Sequence, residues 1–213
     1  EHYDNGMNLI QSEKIVSEEG GKQREIEFVI HFNDNLYIFS SFKNQKLKKN
    51  FLFVQSINKK TLLLNNDLRK ISEIDYSEKS RYNAGNYNYE MSRDSSKLLV
   101  YYNLPYDKGE SEKYGFHVFD KDLKQMWEKQ VTLPYKEELF DVEDYQIDNK
   151  GNVHLLGLVF KDKRREKRKG EPNYNYQILS YYNNGTEVIE YPAKVEGKFL
   201  TDMKIEINDD QDI

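Results

Sequence analysis

The sequence predicts an all-β fold, a propeller-like array of four-stranded antiparallel blades. Three observations predict it. First, short runs rich in Val, Ile, Leu, Phe and Tyr alternate with clusters of Asn, Asp, Ser and Gly, which accept the backbone angles of hairpin turns. Second, residues 141–192 read as strand, tight turn, strand, long loop, strand, tight turn, strand. Third, that unit recurs. The first apolar residue after the first turn is Leu36, Leu98, Val153 and Ile213, at steps of 62, 55 and 60 residues. The second turn is placed at Asp67, Asp122 and Asn184, at steps of 55 and 62. Propeller repeats run about 40–50 residues, so these units are long, with the excess in the middle loop. An irregular meander sandwich satisfies the same turn spacing.

In chain order, residues 1–24 are weakly patterned and read as an arm or the end of an earlier blade. The first blade-like unit covers 25–86. Ile26 to Phe32 and Leu36 to Phe42 flank the turn Asn33-Asp34-Asn35, residues 43–50 form a basic loop, and strands follow from Phe51 and from Arg69. The second unit covers 87–140. Its strands begin at Tyr87, Lys97, Tyr114 and Lys124, and its middle loop carries Pro105 and Gly109. The third unit covers 141–199, with turns at 148–152 and 183–185. Residues 200–213 start a further blade. Three units and part of a fourth are expected to belong to a larger propeller, because a repeat cannot bury its face alone.

Composition bounds function. Charged residues make up 32% and net charge is −5, which argues against a general nucleic-acid coat. Aromatics reach 14%, and each large ring buries roughly 150–250 Å², so a core is available and disorder is disfavoured. With no Cys there is no disulfide, thiolate metal site or Cys nucleophile. No apolar run approaches the roughly 20 residues of a membrane span. The chain opens at Glu1 without Met, so the lack of a leader bears on nothing.

No nucleophile elbow, P-loop, dinucleotide fingerprint or zinc-protease motif is present. Carboxylate pairs such as Asp209-Asp210 and Glu137-Glu138 carry no placement as acid and base. The turn Asp148-Asn149-Lys150-Gly151-Asn152 has a faint calcium-loop look, but it lacks the distant Glu and reads as turn chemistry. His31, His117 and His154 fall at different repeat positions and read as ordinary strand histidines. No cofactor, metal or catalytic residue is therefore expected. The candidates are partner-binding residues in loops. Lys46, Lys48 and Lys49 lie in the middle loop of the first unit, and Lys163, Arg164, Arg165, Lys167 and Arg168 lie in the equivalent loop of the third. Tyr82 and Tyr106 are the loop tyrosines suited to a surface. Solvated loops explain the same charges, and most other tyrosines alternate within strands as core positions do.

The segments Ser92-Arg93-Asp94-Ser95-Ser96-Lys97-Leu98-Leu99-Val100-Tyr101-Tyr102, Leu133-Pro134-Tyr135-Lys136-Glu137-Glu138-Leu139-Phe140 and Gly197-Lys198-Phe199-Leu200-Thr201-Asp202-Met203 resemble exported, largely uncharacterised β-propeller-like proteins of Bacteroidetes-type bacteria. The resemblance covers about residues 25–213. It implies a signal peptide, a periplasmic or cell-surface location and kinship with accessory subunits of the type IX secretion translocon, and it supplies no catalytic residues. The expected function is a non-enzymatic cell-envelope subunit that binds a protein partner in a secretion or outer-membrane complex, with no nucleic acid and no transmembrane segment. The alternative is a glycan-binding or glycan-processing propeller. A weaker third reading is a lipid or nucleic-acid contact through residues 161–169.

Overall fold

The computed structural model describes residues 1–14, 18–19, 21–76, 85–104, 111–161, 172–195 and 200–213. The chain is all-β and divides into two compact units, Glu1–Asn88 and Tyr89–Ile213. The division falls inside one strand, which pairs within the second unit's first sheet.

In the first unit, β1 (His2–Tyr3) pairs with β2 (Leu9–Gln11), and β3 (Glu18–Glu19) pairs with β4 (Lys22–Gln23). A four-stranded antiparallel sheet follows, made of β5 (Glu25–Phe32), β6 (Asn35–Asn44), β7 (Lys49–Ile57) and β8 (Arg69–Asp75), in that spatial order. Asn33 and Asp34 make its first turn with φ of 45° and 57°, the left-handed pair that a two-residue hairpin needs. Ile30, Phe32, Ile38, Phe39, Leu52, Val54 and Ile74 are its most buried apolar residues.

Two expectations are corrected in this sheet. Residues 43–50 do not form a loop, because the β6–β7 ladder runs to Asn44↔Lys49 and leaves a four-residue turn at 45–48. The lysines tolerate the ladder because Lys43 meets Glu25, and Lys49 meets Glu73 and Asp75, on the neighbouring strands. Asp67 is not the second turn. That turn spans residues 58–63, closed by Asn58 N–H donating to the Leu63 carbonyl at 2.9 Å, with Leu62 at φ 57°. Asp67 instead accepts from Ser56 N at 3.0 Å and from the Ser56 hydroxyl at 2.5 Å. With this correction the left-handed residue closing the second turn is Leu62, Leu123 and Gly185, at steps of 61 and 62 residues.

The second unit holds two sheets of the same up-and-down design. One is β9 (Tyr87–Met91), β10 (Lys97–Asn103), β11 (Ser111–Asp120) and β12 (Gln125–Lys136). After a 3₁₀ turn at Glu137–Leu139 comes β13 (Phe140–Ile147), β14 (Val153–Phe160), β15 (Tyr174–Tyr182) and β16 (Glu187–Ala193). The two sheets share one core. From the first come Leu99, Tyr114, Phe116, Val118, Trp127 and Leu133, and from the second Phe140, Tyr145, Ile147, Val153, Leu155, Leu179 and Tyr181. Period-two alternation puts each set on one face of its sheet. Phe116 sits at the centre, edge-on to Trp127 at 5.4 Å and to Tyr181 at 5.0 Å. The Trp127 indole N–H donates to the Gly151 carbonyl at 3.0 Å, which satisfies its one polar atom inside the core. Gly157 has no alternative, because a Cβ there would lie 2.4 Å from the Phe140 ring.

Residues 200–213 are described without a strand, so the further blade's opening strand is not paired. The segment still behaves as a repeat would. Ile205 is buried against Leu156 and Tyr176 on the outer face of the β13–β16 sheet. Asn208 N–H donates to the Asp212 carbonyl at 3.0 Å, and Gln211 has φ 68°. The turns at 92–97 and 148–152 close in the same way, with Ser95 at φ 55° and Gly151 at φ 90°. These three turns touch one another. Arg93 Nε pairs with Asp209 at 2.8 Å, Asp94 N–H donates to Asn149 Oδ1 at 3.3 Å, and Asn149 N–H donates to Gln211 Oε1 at 2.8 Å. The ends of β9, β13 and the segment before Asn208 therefore converge.

A candidate ligand site where the first strands converge

The convergence gathers carboxylates and tyrosines near the ends of β9 and β13. Glu90 lies two residues before the turn at 92–97, half-buried. Asp144 lies on β13, also half-buried, just past a bulge. Val142 pairs with Gly157 and Asp144 with Leu156, so Glu143 is the extra residue. A bulge of this kind re-aims the side chains beside it, and bulges are common next to binding sites. Burial raises the Glu90 carboxyl above its ordinary range, and the Asp144 carboxylate adds to the rise. Tyr101 on β10 joins them. Burial first, then the charges of Glu90 and Asp144, push its phenol up to about 12. The Asp144 charge acts on both Glu90 and Tyr101, which puts the three groups in one electrostatic neighbourhood.

Beneath Tyr101 lies a layer of phenols. Its ring stacks on Tyr145 with centroids 4.0 Å apart and planes 30° from parallel. Tyr114 packs edge-on to Tyr145 at 6.2 Å, and the Tyr114 and Tyr181 hydroxyls share a hydrogen bond of 2.5 Å. The Tyr145 hydroxyl is fully buried with no hydrogen-bond partner among the described residues. Burial holds the phenols of Tyr114, Tyr145 and Tyr181 protonated, with Tyr181 up to about 12. The stack fixes the Tyr101 ring beside the two carboxylates, an arrangement suited to a hydroxyl-rich ligand that presents an apolar ring face.

The residues singled out from sequence lie elsewhere. Lys46 and Lys48 are exposed in the β6–β7 turn, and Lys49 is half-buried and ion-paired with Glu73 and Asp75. Tyr82, Tyr106, Lys163, Arg164, Arg165, Lys167 and Arg168 lie outside the described residues. Glu90 and Asp144 were missed, since they sit 54 residues apart in ordinary strands and only their convergence sets them apart.

The histidines do not gather. His31 contacts Lys59, His117 contacts Gln125 and Glu128, and His154 contacts the Ser180 hydroxyl at 2.9 Å. Among the described residues no group of three His, Cys, Asp or Glu side chains could hold a metal ion. Asp148 spends its carboxylate on the N–H groups of Lys150 and Asn152 and on the Asn152 amide, as turn chemistry requires. No helix among the described residues is long and apolar enough to cross a membrane.

No family model matches the sequence, and no curated protein does. Among solved structures the chain is similar to Penicillium chrysogenum alpha-L-arabinanase complexed with arabinobiose, at 10% identity and a TM-score of 0.47. The likeness covers 85% of this chain and 54% of that one, so the chain spans about half of its neighbour's length. It transfers no residue role and no substrate. It does correct one expectation: the neighbour is an enzyme, so the exclusion of enzymatic activity drawn from missing motifs does not stand.

Proposed function

We propose that this propeller-like protein binds or processes a glycan at the ends of β9 and β13. The observation that carries the reading is the grouping of Glu90 and Asp144, from the first strands of adjacent sheets, beside the fixed ring of Tyr101. Glycoside hydrolysis uses two carboxyl groups in different states, one a proton donor and the other a carboxylate. Burial and the Asp144 charge favour the protonated form of Glu90, which suits it to the donor role and Asp144 to the other. Tyr101 supplies a platform for a sugar face.

The test is a screen of polysaccharides for binding by calorimetry and for release of reducing ends. Hydrolysis that falls at least a hundredfold in Glu90→Gln while binding persists supports the processing form. Binding that weakens in Tyr101→Ala without any hydrolysis supports the binding form. Activity or binding untouched by Glu90→Gln, Asp144→Asn and Tyr101→Ala removes the site.

A second reading is a subunit that binds a protein partner, in the exported, envelope-associated setting that the resemblance implies. The observation favouring it is β16, the last strand of its sheet, where Val188 and Tyr191 are exposed. A strand at a sheet edge offers backbone groups for a partner strand, although Pro192 interrupts the row of donors. Affinity purification from the native envelope decides it, since recovery of the chain alone counts against a stable partner.

A further inference from the structure

The charge of the first unit is arranged against that of the chain. Residues 35–66 hold six lysines and no Asp or Glu, in a protein of net charge −5. Four of those lysines, Lys43, Lys46, Lys48 and Lys49, gather around the β6–β7 turn. Lys43 and Lys49 are engaged by acids of the neighbouring strands. Lys46 and Lys48 flank Leu47, whose side chain stands 59% exposed between them.

The turn is held in shape. Asn44 Oδ1 accepts from the N–H groups of Lys46 and Leu47, both at 3.1 Å. Lys48 takes a left-handed φ of 54°, which a lysine adopts only when its surroundings impose it, and its carbonyl accepts from Tyr76 N–H at 2.9 Å. The pairing of β5 with β6 ends at Ser41, so β6 runs three residues past its partner, about 10 Å of strand.

We propose that this hairpin tip docks the protein on an anionic lipid surface, with Leu47 entering the headgroup boundary and Lys46 meeting lipid phosphates. The chemistry favours a bilayer over other anionic partners. Lysines are mobile point charges suited to a diffuse anionic sheet, and residues 35–66 contain no Arg for bidentate recognition of a single phosphate. Phe42 and Phe51 in the adjoining strands are half-buried and Tyr76 beside Lys48 is buried, so the described residues at the tip offer no exposed stacking platform for nucleic-acid bases. An apolar apex between cations matches an interface that is charged at its surface and apolar just beneath. One apolar side chain and a few lysines make a weak, salt-sensitive contact, with each lysine contributing about fivefold in binding.

The experiment is co-sedimentation of the whole chain with neutral phosphatidylcholine vesicles and with vesicles containing phosphatidylserine, at low and high salt. Because the chain has no Cys, Leu47→Cys and, as a control in the second unit, Thr186→Cys each accept a single environment-sensitive fluorophore. The expected result is binding to anionic vesicles only, reversed by high salt. It should fall more than fivefold in Lys46→Glu and at least tenfold in Leu47→Glu, with a blue shift of the label at position 47 and none at 186. Three results would overturn the proposal. One is no sedimentation with either vesicle. Another is sedimentation unchanged in Lys46→Glu and Leu47→Glu. The third is binding to polyglutamate as tight as to vesicles, with no blue shift at 47, which would make the tip a contact for an acidic protein.

Discussion

The β13–β16 sheet has two faces, and they are held differently. One face lies against a whole neighbouring sheet. Tyr145, Ile147, Val153, Leu155, Leu179 and Tyr181 are each buried there to 4% exposure or less, interleaved with Tyr114, Phe116 and Trp127. Among the described residues the other face is covered by the extended segment that carries Leu200, Met203 and Ile205. Its buried apolar cluster, among those same described residues, is Leu156, Tyr176 and Ile205, while Leu158, Tyr174, Ile178, Leu200 and Met203 stay partly exposed. His154 and Ser180 are buried on this same face, and the His154 Nε2 atom has no partner among the described residues. The comparison teaches that burying a β-sheet face takes another sheet. One extended segment supplies fewer side chains and leaves most of the apolar residues it meets partly exposed.

The largest expected effect breaks the sheet-to-sheet face. Trp127→Ala removes the ring edge-on to Phe116 and the indole bond to Gly151, and should cost about 3–5 kcal/mol by chemical denaturation. If it costs less than Ile205→Ala, the ranking of the two faces is wrong.

Next is the acid response of the segment-covered face. Burial lowers the His154 pKa to about 4, against the partial opposition of Asp148, so the folded protein keeps this imidazole neutral. The unfolded chain binds the proton below its ordinary value near 6.5, whereas the native state does not until about pH 4. Stability from this group is therefore fully present above pH 6.5 and is lost as pH falls through 6.5 to 4, by about 3 kcal/mol in all. Denaturation curves between pH 4 and 7 should show this slope, and His154→Asn should remove it.

A smaller loss is expected from Ile205→Ala. The transfer cost of a buried Ile is about 2 kcal/mol at the low end of its range, because the segment can settle into the space. Thermal melts that show no change would mean the segment contributes nothing to this face.

The smallest effect carries the opposite sign. Tyr145→Phe deletes a fully buried hydroxyl without a partner and keeps the ring that stacks on Tyr101. It should stabilise the protein by about 1 kcal/mol, and a loss of stability would reveal a partner for that hydroxyl.

Local chemistry was legible in the residues. Asn33-Asp34, the turn begun by Asp148, and Asn183-Asn184-Gly185 all take the left-handed angles their residue types favour, and most apolar runs between them became strands, Leu62-Leu63 being taken up by the turn at 58–63 instead. Two local readings failed because neighbours outweighed propensity. The lysines beside the β6–β7 turn looked like loop until Glu25, Glu73 and Asp75 stood opposite them. Asp67 looked like a turn residue, but its carboxylate reaches back to Ser56. Nothing in the residues marked Glu90 and Asp144, because a bulge at Glu143 and the meeting of three turns bring them together.

By itself the sequence determined the order of strands and most of the places where the chain reverses, since both depend on backbone preferences within a few residues. Only the tertiary structure decided which sheet faces meet, which hydroxyl is stranded beneath Tyr101 and which carboxylates share a field. Those outcomes depend on groups tens of residues apart, and water leaves a buried pair only when both sheets are in place.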